Sequence, residues 1–307
     1  MASPGCDSRA ALAAFAFSTL LCACGESFST AAPATDALPE GQPSEAGTGG
    51  QAGADSARGG DTGATRDALM TNDAVSDDAL AGPNIPTNGL VLWLRADRGV
   101  TEEAGQVAAW TDQSGNDSHA TQTATNVRPK LLSAGIGGRP SILFDGIDDF
   151  LKLPPAFADF SLGISVFATI QYAAASACTA VVELSNGSEV DDISFGQFEN
   201  RLYYEVLTEF SQGSDLVTSA PQVIAVVHQP NGSFEMRQNT QLSGGGSMTL
   251  PDTIVRQQNF VGRSLYANCV TFPGNISELL IYERAVNDTE LVAIESHLRA
   301  QANCCTP

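Results

Sequence analysis

The chain has 307 residues, a formal net charge of -20 and only 15 Lys and Arg residues. Its 43% hydrophobic content is sufficient for an ordinary buried core. Because nucleic-acid binding requires clustered basic side chains that neutralise phosphates, this charge balance argues against a nucleic-acid partner.

The N-terminus is typical of an export signal. Residues 10–23 form an uncharged, apolar stretch that is too short to span a bilayer as a helix. The sequence LCAC at 21–24 resembles the bacterial lipobox, which implies removal of residues 1–23 and lipidation of Cys24. The Gly that follows Cys24 favours, by the same resemblance, the outer membrane. Lipidation at Cys22, or a plain secretory signal, is the alternative.

An acidic, low-complexity segment follows at residues 24–87. Gly, Ala, Ser, Thr, Asp and Pro dominate it, and no window shows a periodic apolar pattern. Such a segment buries too little apolar surface to offset the entropy lost on ordering. We predict a disordered tether with a random-coil reach of about 40–48 Å.

Short runs rich in β-branched and aromatic residues begin at residue 88. Gly, Asn, Asp or Pro separates most of them, as in the sequences SNGS, PNGS and SGGGS, which we interpret as turns. The pattern predicts an all-β protein with a two-sheet antiparallel sandwich in one domain, residues 88–301. The runs occupy residues 90–94, 141–144, 164–170, 181–184, 202–206, 223–227 and 276–282.

One helix is predicted near the C-terminus, over residues 288–300. Asn287 is placed to cap its first turn, with Glu290 three residues later, and apolar residues recur on one face. We expect this helix to pack against the sandwich, with His297 facing solvent.

Three motifs occur in an order that resembles a known family. They are WTDQSGN at 110–116, FDGIDD at 144–149 and ISELLIYERA at 276–285. Together they are similar to the laminin-G-like, concanavalin A-like lectin/glucanase jelly rolls of bacterial surface proteins. The resemblance implies a two-sheet jelly roll that serves as a binding or adhesion module, sometimes with a bound calcium ion.

The acidic motif offers a candidate metal site. Asp145, Asp148 and Asp149 place three carboxylates within five residues, and Ca²⁺ prefers six to eight oxygen ligands. The alternative is a tight turn at Asp145-Gly146, where a self-bonded Asp and a glycine explain the same spacing. Calcium is the only cofactor that the sequence suggests.

The sequence contains only incomplete versions of the residue patterns that catalysis requires. Retaining glycosidases need two close carboxylates, which laminarinase-like jelly rolls carry at alternate positions of one strand. The nearest match, at residues 189–194, lacks its final Glu and lies among turn residues. His119, His228 and His297 show no metal-ligand spacing. We therefore expect no enzyme, with a glycan-active hydrolase that has a divergent carboxylate pair as the alternative.

Aromatic residues give a weak indication of glycan binding. Trp93 and Trp110 fall within predicted strands and are expected in the core. Tyr203, Tyr204 and Phe210 include at least one ring that strand alternation exposes.

Four cysteines are disulfide candidates in an exported protein: Cys178, Cys269, Cys304 and Cys305. Because vicinal cysteines pair with strain, we expect two bridges that join the tail at 302–307 to Cys178 and Cys269. The alternative is a Cys178–Cys269 bridge with a reactive tail pair.

These observations predict a lipid-anchored protein of the bacterial outer membrane or cell surface, with a secreted or periplasmic protein as the alternative. Its folded domain is expected to bind a glycan or a surface protein without catalysis. A passive structural surface protein is a further alternative.

Overall fold

The computed structural model describes residues 85–173 and 177–303. The predicted signal peptide, Cys24, the linker up to residue 84, Cys304 and Cys305 lie outside the described residues. The strands, in chain order, and the helix are β1 (Leu90–Arg95), β2 (Val100–Glu103), β3 (Gln106–Trp110), β4 (Ala120–Thr121), β5 (Lys130–Leu132), β6 (Ser141–Asp145), β7 (Leu151–Leu153), β8 (Ile164–Tyr172), β9 (Cys178–Ser185), β10 (Ile193–Phe198), β11 (Arg201–Val206), β12 (Glu209–Leu216), β13 (Gln222–His228), β14 (Ser233–Gln238), β15 (Gln241–Ser247), β16 (Gln258–Val261), β17 (Pro273–Tyr282) and α1 (Asp288–Ala302).

The strands form two antiparallel sheets, which confirms the predicted all-β sandwich. The eight-stranded sheet has the order β15-β14-β13-β8-β17-β6-β5, and β1 pairs with β17 beside this path. The nine-stranded sheet has the order β12-β11-β10-β9-β16-β7-β4-β3-β2. Neighbours in space are often far apart in sequence, as expected for a jelly roll.

The main hydrophobic core lies between the two sheets. Alternate residues of the central strands point into it, among them Val166 of β8, Val182 of β9 and Tyr204 of β11. Trp110 is completely buried there, as predicted. Each large apolar side chain of this kind stabilises the fold by about 1.5–3 kcal/mol relative to an exposed one.

A second, smaller core covers the other face of the eight-stranded sheet. Helix α1 packs Leu291, Ile294 and Leu298 against Phe167 and Leu280 of that sheet. The predicted capping box is present, because Asn287 Oδ1 accepts from the Glu290 N–H and Glu290 Oε2 accepts from the Asn287 N–H. The outer face of the nine-stranded sheet has no helix among the described residues.

The sequence SGGGS at 243–247 is a strand rather than the predicted turn. It forms part of β15, which pairs with β14 at the sheet edge. A Cβ atom at Gly245 would lie 2.7 Å from the carbonyl oxygen of Phe234, and one at Gly244 would lie 3.1 Å from Gly213 of β12. The glycines therefore permit close approach of neighbouring backbones, which is a second use of glycine besides turn formation.

Candidate functional site

The outer face of the nine-stranded sheet carries a row of polar and aromatic side chains. On β10, Ser194 lies in register with Glu183 of β9 and with Glu205 of β11. The row continues to Phe260 of β16 beside Glu183 and to Phe210 of β12 beside Glu205. Because the residues flanking each glutamate point into the main core, the glutamates themselves lie on the outer face.

A loop at residues 262–272, named here the covering loop, lies over this row. Its ends meet where the Phe272 N–H donates to the Gly262 carbonyl at 2.8 Å, which is typical of a compact surface loop. Gly262 has φ +82°, and a Cβ atom there would lie 2.7 Å from the Phe144 ring. A glycine is therefore required where the loop leaves β16.

Hydrogen bonds tie the covering loop to both glutamates. The Leu265 N–H donates to the two carboxylate oxygens of Glu183 at 3.0 and 3.1 Å. The Tyr266 hydroxyl donates to Glu205 Oε1 at 2.8 Å. As a result Glu183 and Glu205 are only 1% and 9% exposed.

A disulfide between Cys178 and Cys269 fastens the same loop, and this pairing corrects our expectation of two bridges to the tail. The two cysteines are neighbours because the Val270 N–H donates to the Cys178 carbonyl at 3.0 Å, which brings the loop onto the start of β9. The alternative pairing is thus the one observed, while Cys304 and Cys305 lie outside the described residues.

Burial shifts the pKa of three carboxyl groups at this sheet, those of Glu205, Asp192 and Glu183. It raises the pKa of Glu205 to about 7, with repulsion from Asp192 and Glu183 adding to the shift and the Tyr266 hydrogen bond opposing it. Burial also raises the pKa of Asp192 to about 6 and increases that of Glu183. Neither side-chain oxygen of Asp192 accepts a hydrogen bond from a described residue. Burial therefore opposes the charged form of all three carboxyl groups, and Glu205 has the pKa nearest neutral pH among the values given.

An aromatic group borders the carboxylates at the β12 edge. Phe210 is 45% exposed and stacks on Tyr203, with ring centroids 5.7 Å apart. Phe198 meets Phe210 edge to face at 5.3 Å. Tyr203 is itself held by a 2.6 Å hydrogen bond with Ser194. The prediction that alternation exposes one of these rings is confirmed for Phe210.

The three aspartates of the acidic motif form a turn. Gly146 has φ +74°, and Asp145 Oδ1 accepts from the N–H groups of Ile147, Asp148 and Asp149. The carboxylates of Asp145, Asp148 and Asp149 lie within 4.8 Å of one another, so they are close enough to share one cation. Burial and repulsion from Asp145 raise the pKa of Asp149 to about 6. Calcium binding here stays a prediction.

The histidines do not converge on a site. His297 is buried, contrary to our expectation, because it lies on the face of α1 that contacts the sheet. Its Nε2 atom is 2.7 Å from Oε1 of Glu278 in β17. Trp93 is half-buried rather than fully within the core, and its Nε1–H donates to the same Glu278 oxygen at 2.6 Å. His228 is buried between Tyr204 and Met248, and His119 accepts from a backbone N–H of its own loop.

The sequence does not predict the group formed by Glu183, Asp192 and Glu205, because its members are far apart in the chain and meet only through strand pairing. The nearest glycosidase-like match contributes only Asp192, since Glu189 and Asp191 occupy a turn with positive φ. Two apolar strands each contain one glutamate, Glu183 and Glu205, and this was the available signal.

Within the described ranges, no helix combines the length and the apolar composition needed to cross a bilayer.

No protein-family model and no curated protein matches the chain. Among solved structures, domain 4 of AbnA, a GH43 extracellular arabinanase from Geobacillus stearothermophilus in complex with arabinotriose, has a TM-score of 0.50 and 16% identity, covering 69% of this chain and 98% of that one. The Trypanosoma rangeli sialidase in complex with the inhibitor DANA has a TM-score of 0.48 and 14% identity, covering 69% of this chain and 33% of that one. The arabinanase domain shares the fold of this chain, a lectin-like jelly-roll sandwich.

Proposed function

We propose that the chain is a non-catalytic glycan-binding module that uses the outer face of its nine-stranded sheet. The observation that carries the proposal is the exposed Phe210 ring, stacked on Tyr203 beside a row of polar groups. A rigid, exposed aromatic face suits the apolar side of a sugar ring. The fold likeness to an arabinanase domain that was solved with arabinotriose supports the same ligand class.

Burial of the glutamates supports binding over catalysis. A general acid has to reach the glycosidic oxygen within hydrogen-bond distance. Glu183 and Glu205 are instead occupied by Leu265 and Tyr266 of the covering loop. The polar groups of the face therefore serve to position that loop, and the sugar contacts fall to the exposed residues around it.

A glycan hydrolase is the second candidate, favoured by the placement of the same two glutamates. Glu183 and Glu205 are separated by one strand, which puts their backbones about 10 Å apart. Inverting glycosidases hold two carboxyl groups about 6.5–9.5 Å apart, one as an acid and the other as a base. This candidate requires the covering loop to open.

The proposed module is held at a bacterial surface through lipid on Cys24 and the acidic linker. The linker was predicted over residues 24–87, but its last three residues belong to the domain, since Ile85 packs in the second core. The sequence LCAC at 21–24 supports this attachment. The Cys178–Cys269 disulfide agrees with export, since such bonds persist in oxidising compartments.

The test replaces Phe210 with Ala in the full chain. We expect binding to linear arabinan, or to another member of a plant and bacterial polysaccharide panel, to weaken about tenfold through loss of stacking. Isothermal titration calorimetry measures the affinity. The control is Val292→Ala, which removes an exposed apolar side chain from helix α1.

Three outcomes discriminate between the candidates. Binding that Phe210→Ala weakens and Val292→Ala leaves intact supports the proposal. Release of reducing ends during the same incubations, abolished by Glu205→Gln, would favour the hydrolase. If the chain binds no polysaccharide of the panel, the proposal is wrong and the remaining candidate is a passive structural surface protein.

A further inference from the structure

A second group of side chains lies on the same face, on the opposite side of the carboxylates from Phe210. Its members are Phe150, Lys152, Phe260 and Arg263, named here the Phe–Arg cluster. The Arg263 guanidinium lies 4.6 Å from the Phe150 ring centroid and 5.2 Å from that of Phe260. Lys152 Nζ lies 6.0 Å from the Phe150 centroid. Two cations therefore flank one aromatic group.

Within the described residues, the two cations contact aromatic rings but no acidic group. Arg263 and Lys152 make neither an ion pair nor a hydrogen bond with any residue that the structure describes. Most other described arginines are satisfied: ion pairs hold Arg95, Arg128, Arg237 and Arg284, and Arg139, Arg201 and Arg256 donate to oxygen atoms of the chain. Unpaired cations are unexpected in a chain with a net charge of -20.

Arg263 is also held in position before any ligand arrives. It stands between Gly262, where the covering loop begins, and Leu265, which is fixed on Glu183. Cation–π contact with two rings restricts its side chain, so little further entropy is lost on binding. Its five N–H donors form a planar fork that matches a carboxylate with two parallel hydrogen bonds.

The distance across the face sets the size of the ligand. Lys152 pairs with Phe260, and the row then runs through Glu183, Ser194 and Glu205 to Phe210. Five strand spacings separate Lys152 from Phe210, which corresponds to about 24 Å. A single sugar cannot contact both ends, whereas an oligosaccharide that passes over the covering loop can.

We propose that the Phe–Arg cluster is a subsite for the carboxylate of a uronic acid residue, and that the glycan bound on this face is an acidic polysaccharide. This inference rests on the proposed glycan-binding function and adds the class of sugar. Arg263 supplies the bidentate contact, and Lys152 adds a second positive charge beside it.

The experiment compares polygalacturonate with its fully methyl-esterified form, which has the same backbone without the charges. The full chain should bind polygalacturonate about tenfold or more tightly, as expected for a charge-assisted bidentate contact. The double variant Lys152→Gln/Arg263→Gln should lose this preference and bind both forms equally. Arg98→Gln/Arg139→Gln makes the same change in net charge elsewhere and should keep the preference.

The outcomes separate this inference from the proposed function. If both polymers bind the wild-type chain equally, or the Lys152→Gln/Arg263→Gln variant keeps the preference, the uronate subsite is wrong while glycan binding stands. Tighter binding to dextran sulfate than to polygalacturonate would also overturn the choice of a carboxylate. If neither polymer nor any neutral glycan binds, the proposed function itself fails.

Discussion

At Glu205, burial opposes the charged form of the side chain. The pKa rises from 4.5 to about 7 because the carboxyl group is removed from water and lies near Asp192 and Glu183. The folded state therefore binds a proton between pH 4.5 and 7 that the unfolded state has released. The stability that Glu205 contributes is complete below pH 4.5 and is lost as the pH rises through 7.

Glu205→Gln should reduce this pH dependence. Between pH 4.5 and 8, the free energy of unfolding of the wild type should fall by about 3 kcal/mol more than that of the variant. The amide oxygen can still accept from Tyr266, so the hydrogen bond to the covering loop is kept. Chemical denaturation at several pH values measures the difference.

Glu102→Gln is the matched control, because Glu102 is exposed on β2. It should follow the wild-type pH profile. The assignment is wrong if Glu205→Gln and Glu102→Gln give the same profile.

Burial lowers the pKa of His228, so that residue acts in the opposite direction and destabilises the fold as the pH falls below 6.5. The comparison of variants cancels its contribution.

Individual side-chain environments were only partly predictable from sequence. Alternation predicted at least one exposed ring among Tyr203, Tyr204 and Phe210, and this is confirmed for Phe210. Trp110 is buried, as expected for a residue of a predicted strand. The expectation that His297 faces solvent was wrong, because its burial depends on Glu278, a residue of strand β17. Such a pairing is set by how the helix lies on the sheet, which local periodicity does not specify.

At the scale of elements, three kinds of contact hold the covering loop on the sheet. The Leu265 N–H donates to Glu183, the Tyr266 hydroxyl donates to Glu205, and the Cys178–Cys269 disulfide links the loop to β9. The disulfide links residues 91 positions apart, so it removes many conformations from the unfolded chain.

Removal of this disulfide by Cys178→Ser/Cys269→Ser should lower the free energy of unfolding by about 2–5 kcal/mol. It should also increase hydrogen exchange at the Leu265 amide, because the loop then keeps only its hydrogen bonds. Denaturant titration and hydrogen exchange measure the two effects.

Cys304→Ser/Cys305→Ser serves as the control and should leave both quantities unchanged. A large loss of stability in this tail variant, rather than in the first, would contradict the observed pairing and restore the tail bridges that the sequence led us to expect.

Strands with a strong apolar pattern were predictable, and the covering loop was not. All seven predicted runs lie in strands of the structure, and the predicted helix begins at the expected residue, Asp288, and ends two residues later than expected, at Ala302. Edge strands such as β12 and β15 were missed because they are polar or glycine-rich and pair with a strand already formed. The loop has no period of its own, and its position depends on contacts far apart in sequence.

The whole molecule has unlike outer faces. Helix α1 covers the eight-stranded sheet with an apolar contact, whereas the covering loop spans part of the nine-stranded sheet through polar contacts. The jelly-roll class follows from many short strands with turns between them. The choice of which face receives the helix and which stays open depends on packing over the entire chain.

Attachment to a membrane is a prediction for the full-length protein. Replacement of Cys24 by Ala should abolish both the lipid mass found by mass spectrometry on the mature wild-type protein and its partition into detergent. Cys22→Ala is the control and should retain both, since Cys22 is only the alternative acceptor. Equal masses for the wild type and Cys24→Ala would contradict lipidation at this residue.

The described domain begins on the side of the sandwich that lies away from the proposed binding face. Ile85 packs in the second core with Leu90 and Tyr282, on the helix side of the sandwich. The preceding chain therefore joins the domain on the side opposite to Phe210 and Arg263. A polymer can therefore reach Phe210 and Arg263 without passing the point at which the chain enters the domain.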